Sequence, residues 1–388
     1  MQPIKRIPID KLEVGMYVTE QTENLTENEL RAKGFIKRDE TLNKLKSKGI
    51  KELYIDVSRG KDSPFALPLE SDSTPSQHKV SLKKERARAE KVYREARGII
   101  GNIIKDVKVG NPIDVAPIEA LAEDINNSVL NNPNALLCLS AIREKDKYLL
   151  EHSINVGILM GIFSKSLGYD REVVHQLVTG ALLHDIGKIR VPSEILNKPG
   201  KLTPEEWIEM KRHVAYGESV LQNSQGITEI AMSICGTHHE RLDGSGYPMG
   251  LKDQEISVYG RLAAIVDVYD AMTADRVYHK GKSPADAISF LLTLGDHHLD
   301  KGLVYEFIRC MSLYPVGTLV ELSNGKLAVV ISMNTLRPDK PLVKAFYNLR
   351  HKHHETPKEI NLAKPLQDIE IVSAVDPNGL DFSVAEFI

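Results

Sequence analysis

Histidine and aspartate recur along the middle of this 388-residue chain in a pattern that suits metal-assisted hydrolysis: His152, the pair His184-Asp185, His213, the pair His238-His239, and Asp267. Each lies on or at the end of an amphipathic segment. His152 stands among apolar residues in DKYLLEHSINVGILMGIF, so its ring should face an interior and need a partner there. REVVHQLVTGALLHDIGK ends in His184-Asp185, where a helix should run into the Gly187 turn. Neighbouring residues do not share a helix face, but at a helix end the backbone can splay both side chains toward one site. His238-His239 repeat the pairing ahead of ERLDGSGYP, a glycine-rich turn that permits close backbone approach. Asp267 sits on an apolar face of YGRLAAIVDVYDAMTADR, where an ionised carboxylate is costly to bury unpaired. Five imidazoles and two carboxylates are donors enough for two first-row metals with positions left for water. With no thiolate among them, iron or manganese are the expected ions, with zinc, nickel and cobalt as substitutes. Two such ions lower the pKa of a bridging water and clamp the oxygens of an in-line phosphoryl displacement, so the expected chemistry is phosphoester hydrolysis.

Any one of these histidines alone would read as a hydrogen-bonded core residue; the repeated pairs on separate apolar segments are what packing does not explain. Other features carry the bland reading. His297-His298 and the RHKHHE run with His351, His353 and His354 lie in loop-like or polar text and read as solvated. KKERARAEK reads as a solvated helix face with intrahelical ion pairs. Trp207 and Met210, at helical spacing, read as core.

The elements that must position the donors are mainly α. A helical period runs from Lys83 to about Arg309. Thr203-Pro204-Glu205-Glu206 supplies an N-cap, a first-position proline and a capping-box glutamate ahead of one helix, WIEMKRHVAYGESVLQ; Ser283-Pro284-Ala285-Asp286 repeats the device. On either side the period becomes that of strands. Ile4–Val57 reads as a small α+β unit with one helix at DETLNKLKSKG, and the tail as a β extension with a hairpin around Ser323-Asn324-Gly325 and strands at PLVKAFYNL and IEIVSAV. The expected division is 1–65, an accessory α+β domain; 66–82, a linker rich in Ser, Pro and charge; 83–310, the helical domain; and 311–388, the β extension.

A formal net charge of −3 gives no basic field for duplex nucleic acid or an acidic membrane surface. Cys138, Cys235 and Cys310 are odd in number and far apart, which fits neither a disulfide framework nor a thiolate zinc site, and points to a reducing cytoplasm. No apolar run approaches a membrane span, so a soluble protein is expected.

His184-Asp185-Ile186-Gly187-Lys188 together with HHERLDGSGYP at 238–248 resembles the HD-GYP subgroup of HD-domain phosphohydrolases over about residues 135–310, and Ile4–Val57 resembles the accessory domain of unknown function that often precedes it. The resemblance implies a helical bundle holding iron or manganese that hydrolyses cyclic di-GMP to linear pGpG or GMP, through attack by a metal-bridging hydroxide. It implies that Asp185 bridges the metals, that His184, His152 and Asp267 complete one and His213, His238 and His239 the other. Lys188 matches a lysine at the scissile phosphate or leaving group, Arg276 a phosphate-binding arginine with Lys280 nearby, and Gly246-Tyr247-Pro248 the signature that shapes the site and a surface for partners such as diguanylate cyclases. A homodimer is a further expectation. Two departures matter. Tyr148 stands where some relatives carry a glutamate for a third metal, so two metals are expected; and DRVYHK lacks the usual proline after the arginine and has His279 at a usually basic place. Three other readings stay open: a non-catalytic cyclic-dinucleotide sensor, against which the full donor set argues; hydrolysis of another phosphoester; and catalysis whose cellular output runs through protein contacts, for instance with diguanylate cyclases.

Overall fold

The computed structural model describes residues 4–19, 34–46, 52–68, 79–142, 148–274, 281–295, 297–334, 337–364, 369–377, 382 and 384–388. The chain folds as two units, Met1–Ser76 and Gln77–Ile388.

The first unit holds β1 (Ile4–Pro8), β2 (Tyr17–Val18), β3 (Gly34–Phe35), α1 (Asp39–Lys46), β4 (Glu52–Asp56) and β5 (Leu67–Pro68). Its strands pair antiparallel in the order β3-β2-β4-β1-β5. Alternate residues of β1 and β4 turn inward, so Ile7, Leu53 and Ile55 meet Leu12, Met16, Val18 and Ile36 in one small core. Leu67 and Pro68, in the stretch expected as linker, add to the sheet by pairing with Arg6 and Lys5.

The second unit opens with α2 (Leu82–Lys108), α3 (Ala116–Asn131), α4 (Pro133–Ser140), α5 (Tyr148–Ser166) and α6 (Arg171–Leu183). It continues through α7 (Ser193–Leu196), α8 (Pro204–Lys211), α9 (His213–Gln222), α10 (Glu229–Thr237), α11 (Val258–Thr273), α12 (Pro284–Leu294) and α13 (Lys301–Met311). The axis of this bundle is α5. It packs against α2, α3, α4, α6, α11 and α13, and Glu151 through Ser164 are all buried, as expected of a helix that is apolar all round. Helix α2 is amphipathic instead: Ala89, Val92, Ala96, Ile100, Ile103 and Val107 form its buried stripe. Its outer face carries the i,i+4 pairs Arg86–Glu90 and Lys91–Glu95, which are worth only a few tenths of a kcal/mol each, roughly 0.2–0.5.

Caps at Thr203 and Ser283 form as the sequence pattern predicts; Thr203 and Glu206 close a reciprocal capping box, and the Ser283 hydroxyl accepts from Asp286 N. The helix expected beyond Thr203 is two helices. It is interrupted at Arg212, where the Met210 carbonyl takes up the His213 Nδ1–H at 2.7 Å.

After the bundle comes a second antiparallel sheet, β6 (Leu319–Leu322), β7 (Lys326–Ser332), β8 (Leu342–Asn348), β9 (His353–Asn361) and β10 (Ile371–Ala374), ordered β10-β6-β7-β8-β9. Ser323-Asn324-Gly325 turns β6 into β7, with Gly325 at φ +77°, a conformation open to glycine. The polar run at His353 and His354 is a strand rather than a loop, because β8 supplies its ladder; both side chains stay exposed, with His354 against Tyr347 and Phe382. The sheet is tied to the bundle through α4: Cys138 Sγ meets the Ile331 carbonyl at 3.3 Å, and Met333 N donates to Asn134 Oδ1 at 2.8 Å. No helix among the described residues is long and apolar enough to cross a membrane.

Asn134 is fully buried and its amide also donates to Asn132 Oδ1 at 3.0 Å. Asn134→Ala leaves the Met333 N–H buried without that acceptor, and should lower the free energy of denaturant unfolding by about 1–3 kcal/mol. A change below about 0.5 kcal/mol, on the scale of an ordinary surface substitution, would mean that α4 does not hold the sheet.

Candidate metal centre

Helix α6 delivers His184 as its C-cap, and Asp185 leaves the helical track at φ −101°, ψ 9° into a 3-10 turn, Ile186–Arg190. That turn lies directly on α9. A Cβ on Gly187 would fall 1.9 Å from the His213 carbonyl and 2.3 Å from Gly217 N, so only glycine allows the approach that brings His184-Asp185 and His213 together. Helix α10 stops at Thr237, with His238 as its C-cap and His239 following. Helix α5 contributes His152, and α11 contributes Asp267 and Asp270.

All seven expected donor residues meet around Asp185, which is wholly buried. One Asp185 oxygen lies 3.4 Å from both His152 Nε2 and His184 Nε2; the other lies 3.4 Å from His213 Nε2 and 3.6 Å from His238 Nε2. Asp267 Oδ1 is 3.0 Å from His152 Nε2, and its other oxygen is 3.7 Å from His239 Nδ1. The donors thus fall into two sets joined at Asp185, His152 with His184 and His213 with His238 and His239.

The imidazoles are oriented by their far nitrogens. Nδ1 of His184, His213 and His238 donates to the carbonyls of Ala181, Met210 and Cys235 at 2.7, 2.7 and 2.9 Å, and a carbonyl can only accept. Each proton therefore sits on Nδ1, and each Nε2 turns a lone pair inward. His152 differs: its Nδ1 donates to the Asp270 carboxylate at 2.7 Å, the carboxylate–histidine pairing that raises ligand basicity.

Nε2 of His184, His213 and His238 and Oδ1 of Asp185 are buried with no hydrogen-bond partner. Buried polar atoms left in that state are rare, and four facing one point call for an electrophile. Donors that share one ion at about 2.0–2.2 Å stand roughly 3–3.5 Å from each other, close to the spacings seen here. The residues fit divalent metal.

Electrostatics match. Burial opposes the charge on Asp185, but Lys188 and His184 outweigh it and hold the carboxyl well below its usual range. Desolvation pushes His213 down to about 3 and lowers His239, so both rings are neutral bases. Burial works against a charge on His152, while Tyr148 and the carboxylates of Asp185, Asp267 and Asp270 raise it above the ordinary histidine range. Lys188 Nζ reaches Asp185 at 2.5 Å, and this attraction exceeds its own desolvation and keeps the ammonium charged. Tyr148 stacks on His152 with centroids 5.5 Å apart. Glu151, one residue before His152, is taken up by Arg97 at 2.8 Å and Tyr93 at 2.7 Å.

Gly246-Tyr247-Pro248 close over the second donor set. The Tyr247 ring is 4.7 Å from that of His239, and a Cβ on Gly246 would fall 2.5 Å from Glu240 Cα. The loop is held from inside by Glu240, whose buried carboxylate accepts from the backbone N–H groups of Met249, Gly250 and Leu251 at 2.7, 3.1 and 3.0 Å. Reading the sequence missed Glu240 and Asp270 as supporting groups. Both follow a donor by one or three residues, in HHE and in DVYD, and that adjacency was the available signal. Trp207, expected in the core, is 45% exposed. Arg276 and Lys280 lie outside the described residues.

A helical bundle that turns imidazoles and carboxylates from separate helices onto one buried point has the architecture of a helical metallohydrolase. Residues 137–303 match the HD domain model, residues 4–118 a domain of unknown function (DUF3391), and residues 319–382 a KOW domain associated with HD domains. The chain is 35% identical over 379 residues to a cyclic di-GMP phosphodiesterase of Pseudomonas aeruginosa, spanning 95% of this chain and 91% of that one. It is 38% identical to a cyclic di-GMP phosphodiesterase of Thermotoga maritima over 44% of this chain and 46% of that protein, and 37% identical to a 3'3'-cGAMP-specific phosphodiesterase of Vibrio cholerae over 40% and 36%. The chain belongs to the HD-domain family, in its HD-GYP subgroup.

Asp270→Asn removes the charge behind His152 and should weaken metal binding at that position by about 10–100-fold, read by competition with a chromophoric chelator. Unchanged affinity would leave Asp270 a packing residue. Glu240→Gln replaces three charge-assisted acceptances with neutral ones, and the Met249, Gly250 and Leu251 amides should exchange with deuterium at least about tenfold faster, the factor for about 1.4 kcal/mol. Equal protection in the variant would show that the loop is held by other contacts.

Proposed function

We propose that this chain is a metal-dependent phosphodiesterase that hydrolyses cyclic di-GMP to linear pGpG or GMP, at a centre of two divalent ions, iron or manganese. The observation that carries the reading is the set of inward-facing donors without partners around the buried Asp185. His152, His184 and Asp267 would hold one ion, His213, His238 and His239 the other, and Asp185 both. Such a pair supplies an activated water near neutral pH and charge stabilisation at phosphorus.

The protein's own part is to fix that geometry and meet the substrate. Backbone carbonyls and Asp270 set the tautomers; the bundle excludes water from the far side of the donors. Lys188, charged and 17% exposed at its side chain, would hydrogen-bond the departing ribose oxygen. Arg276 and Lys280 are assigned to the substrate phosphates on their sequence motif. Gly246-Tyr247-Pro248 form the rim. The division 1–65, 66–82, 83–310 and 311–388 is proposed as the working domain plan, with its first boundary moved beyond Pro68 because Leu67 and Pro68 pair in the first sheet, with the flanking modules regulatory and the protein cytoplasmic.

Similarity to the Pseudomonas aeruginosa phosphodiesterase over nearly the whole of both chains favours cyclic di-GMP. The comparable identity of the 3'3'-cGAMP-specific relative supports a second reading in which that dinucleotide is the substrate.

Protein purified without oxygen should release pGpG or GMP from cyclic di-GMP, faster than it turns over 3'3'-cGAMP, with about two metals per chain on the same sample. The reverse preference selects the second reading, and metal-loaded protein inert toward both overturns the assignment. Chelation should abolish turnover. Asp185→Ala should remove metal and activity together, whereas Lys188→Ala should keep its metals and lose about 10–1,000-fold in kcat, the range for one electrostatic contact to the transition state. A Lys188→Ala protein without metal would make Lys188 a structural partner of Asp185.

A further inference from the structure

We propose that Trp207 and Lys211 form the subsite that receives one purine base of the cyclic dinucleotide, an inference that rests on the phosphodiesterase reading. Trp207 is the chain's single tryptophan, and 45% of it is exposed on α8. It is joined to the metal centre by an unbroken series of rings. Tyr247 lies 4.7 Å from His239 and 6.2 Å from His213, and Trp207 stands edge-on to Tyr247 at 6.2 Å. Lys211, one turn further along α8, holds its ammonium 5.9 Å from the Trp207 ring and 5.6 Å from the Tyr247 ring.

In a nucleotide one ribose separates phosphate from base. With phosphorus at the donors, a base directed toward Tyr247 arrives at the indole. An aromatic face takes any base by stacking, and a cation beside it favours an anionic ligand and polarises the stack. Position is fixed before binding. The Thr203–Glu206 capping box and the Lys198–Glu206 ion pair at 2.6 Å pin the first turn of α8, and His213 follows its last turn closely, so platform and metal ligand are set by the same short segment. Ile208 and Met249, next in the chain to Trp207 and Pro248, are 59% and 60% exposed.

The test uses the full-length metal-loaded protein and a phosphorothioate analogue of cyclic di-GMP that resists hydrolysis, with binding followed in parallel by calorimetry and by tryptophan fluorescence. Because the chain has one tryptophan, quenching reports this position alone. The expected result is quenching that saturates with the calorimetric isotherm, a Trp207→Ala protein with unchanged metal content whose Kd rises about 5- to 150-fold, and a Trp207→Phe protein that recovers most of the affinity. Calorimetric binding without quenching, with Trp207→Ala binding equally well, overturns the subsite and leaves the phosphodiesterase reading standing. No binding of the analogue and no turnover of cyclic di-GMP overturns both.

Discussion

A fully buried carboxylate surrounded by imidazoles is the constraint around which this bundle is organised. Asp185 has no access to water, and an ion in that position survives only if paired. Lys188 gives it one counter-charge, while His213 and His238 turn onto it lone pairs that repel rather than compensate unless a cation joins them. The rest of the architecture answers this requirement. Five helices must end or pass within one side chain's reach of the same point, so α6 and α10 stop there, α9 starts there, α11 brings Asp267 past it, and α5 is buried along most of its length to carry His152 in.

Close approach is the second condition, and it is met by removing side chains. Gly187 lets the turn after the His-Asp pair touch α9, and Gly246 lets the rim loop lie on the backbone of Glu240. Specific short segments therefore carry donor and support together: His239 with Glu240, Asp267 with Asp270, His213 with the end of α8. The two sheets obey a different logic. Each builds its own small core by alternation, and the C-terminal one reaches the bundle through the hydrogen bonds of α4 rather than through any donor helix.

The donors were legible in the sequence because two polar pairs on apolar helices have no cheap structural explanation, and because their spacing with HDIGK and GSGYP is that of a known family. Caps, the β6–β7 turn and the strand periods were legible for local reasons. What escaped notice depended on tertiary context. Helical spacing cannot tell which side of a short helix faces the core, so Trp207 reads as inward when it is not. A side chain that captures a carbonyl interrupts a helix without any breaker residue, as at Arg212. The polar text of β9 has no alternation to announce it, because its partner strand supplies the ladder. Glu240 and Asp270 act only through groups brought to them by folding.

Glu240 sits in the chain directly after two metal-facing histidines and clasps the loop that forms the rim. Loop and centre thus share one continuous segment, and their energies are linked. Any state of the loop that shifts the backbone at Glu240 alters the grip of His238 and His239 on an ion, and an ion that fixes those rings biases the loop by the same factor. The rim is in this sense a thermodynamic handle on the metal, exposed at the surface, linked to it by the Glu240 carboxylate and by the Tyr247 N–H that donates to the His239 carbonyl.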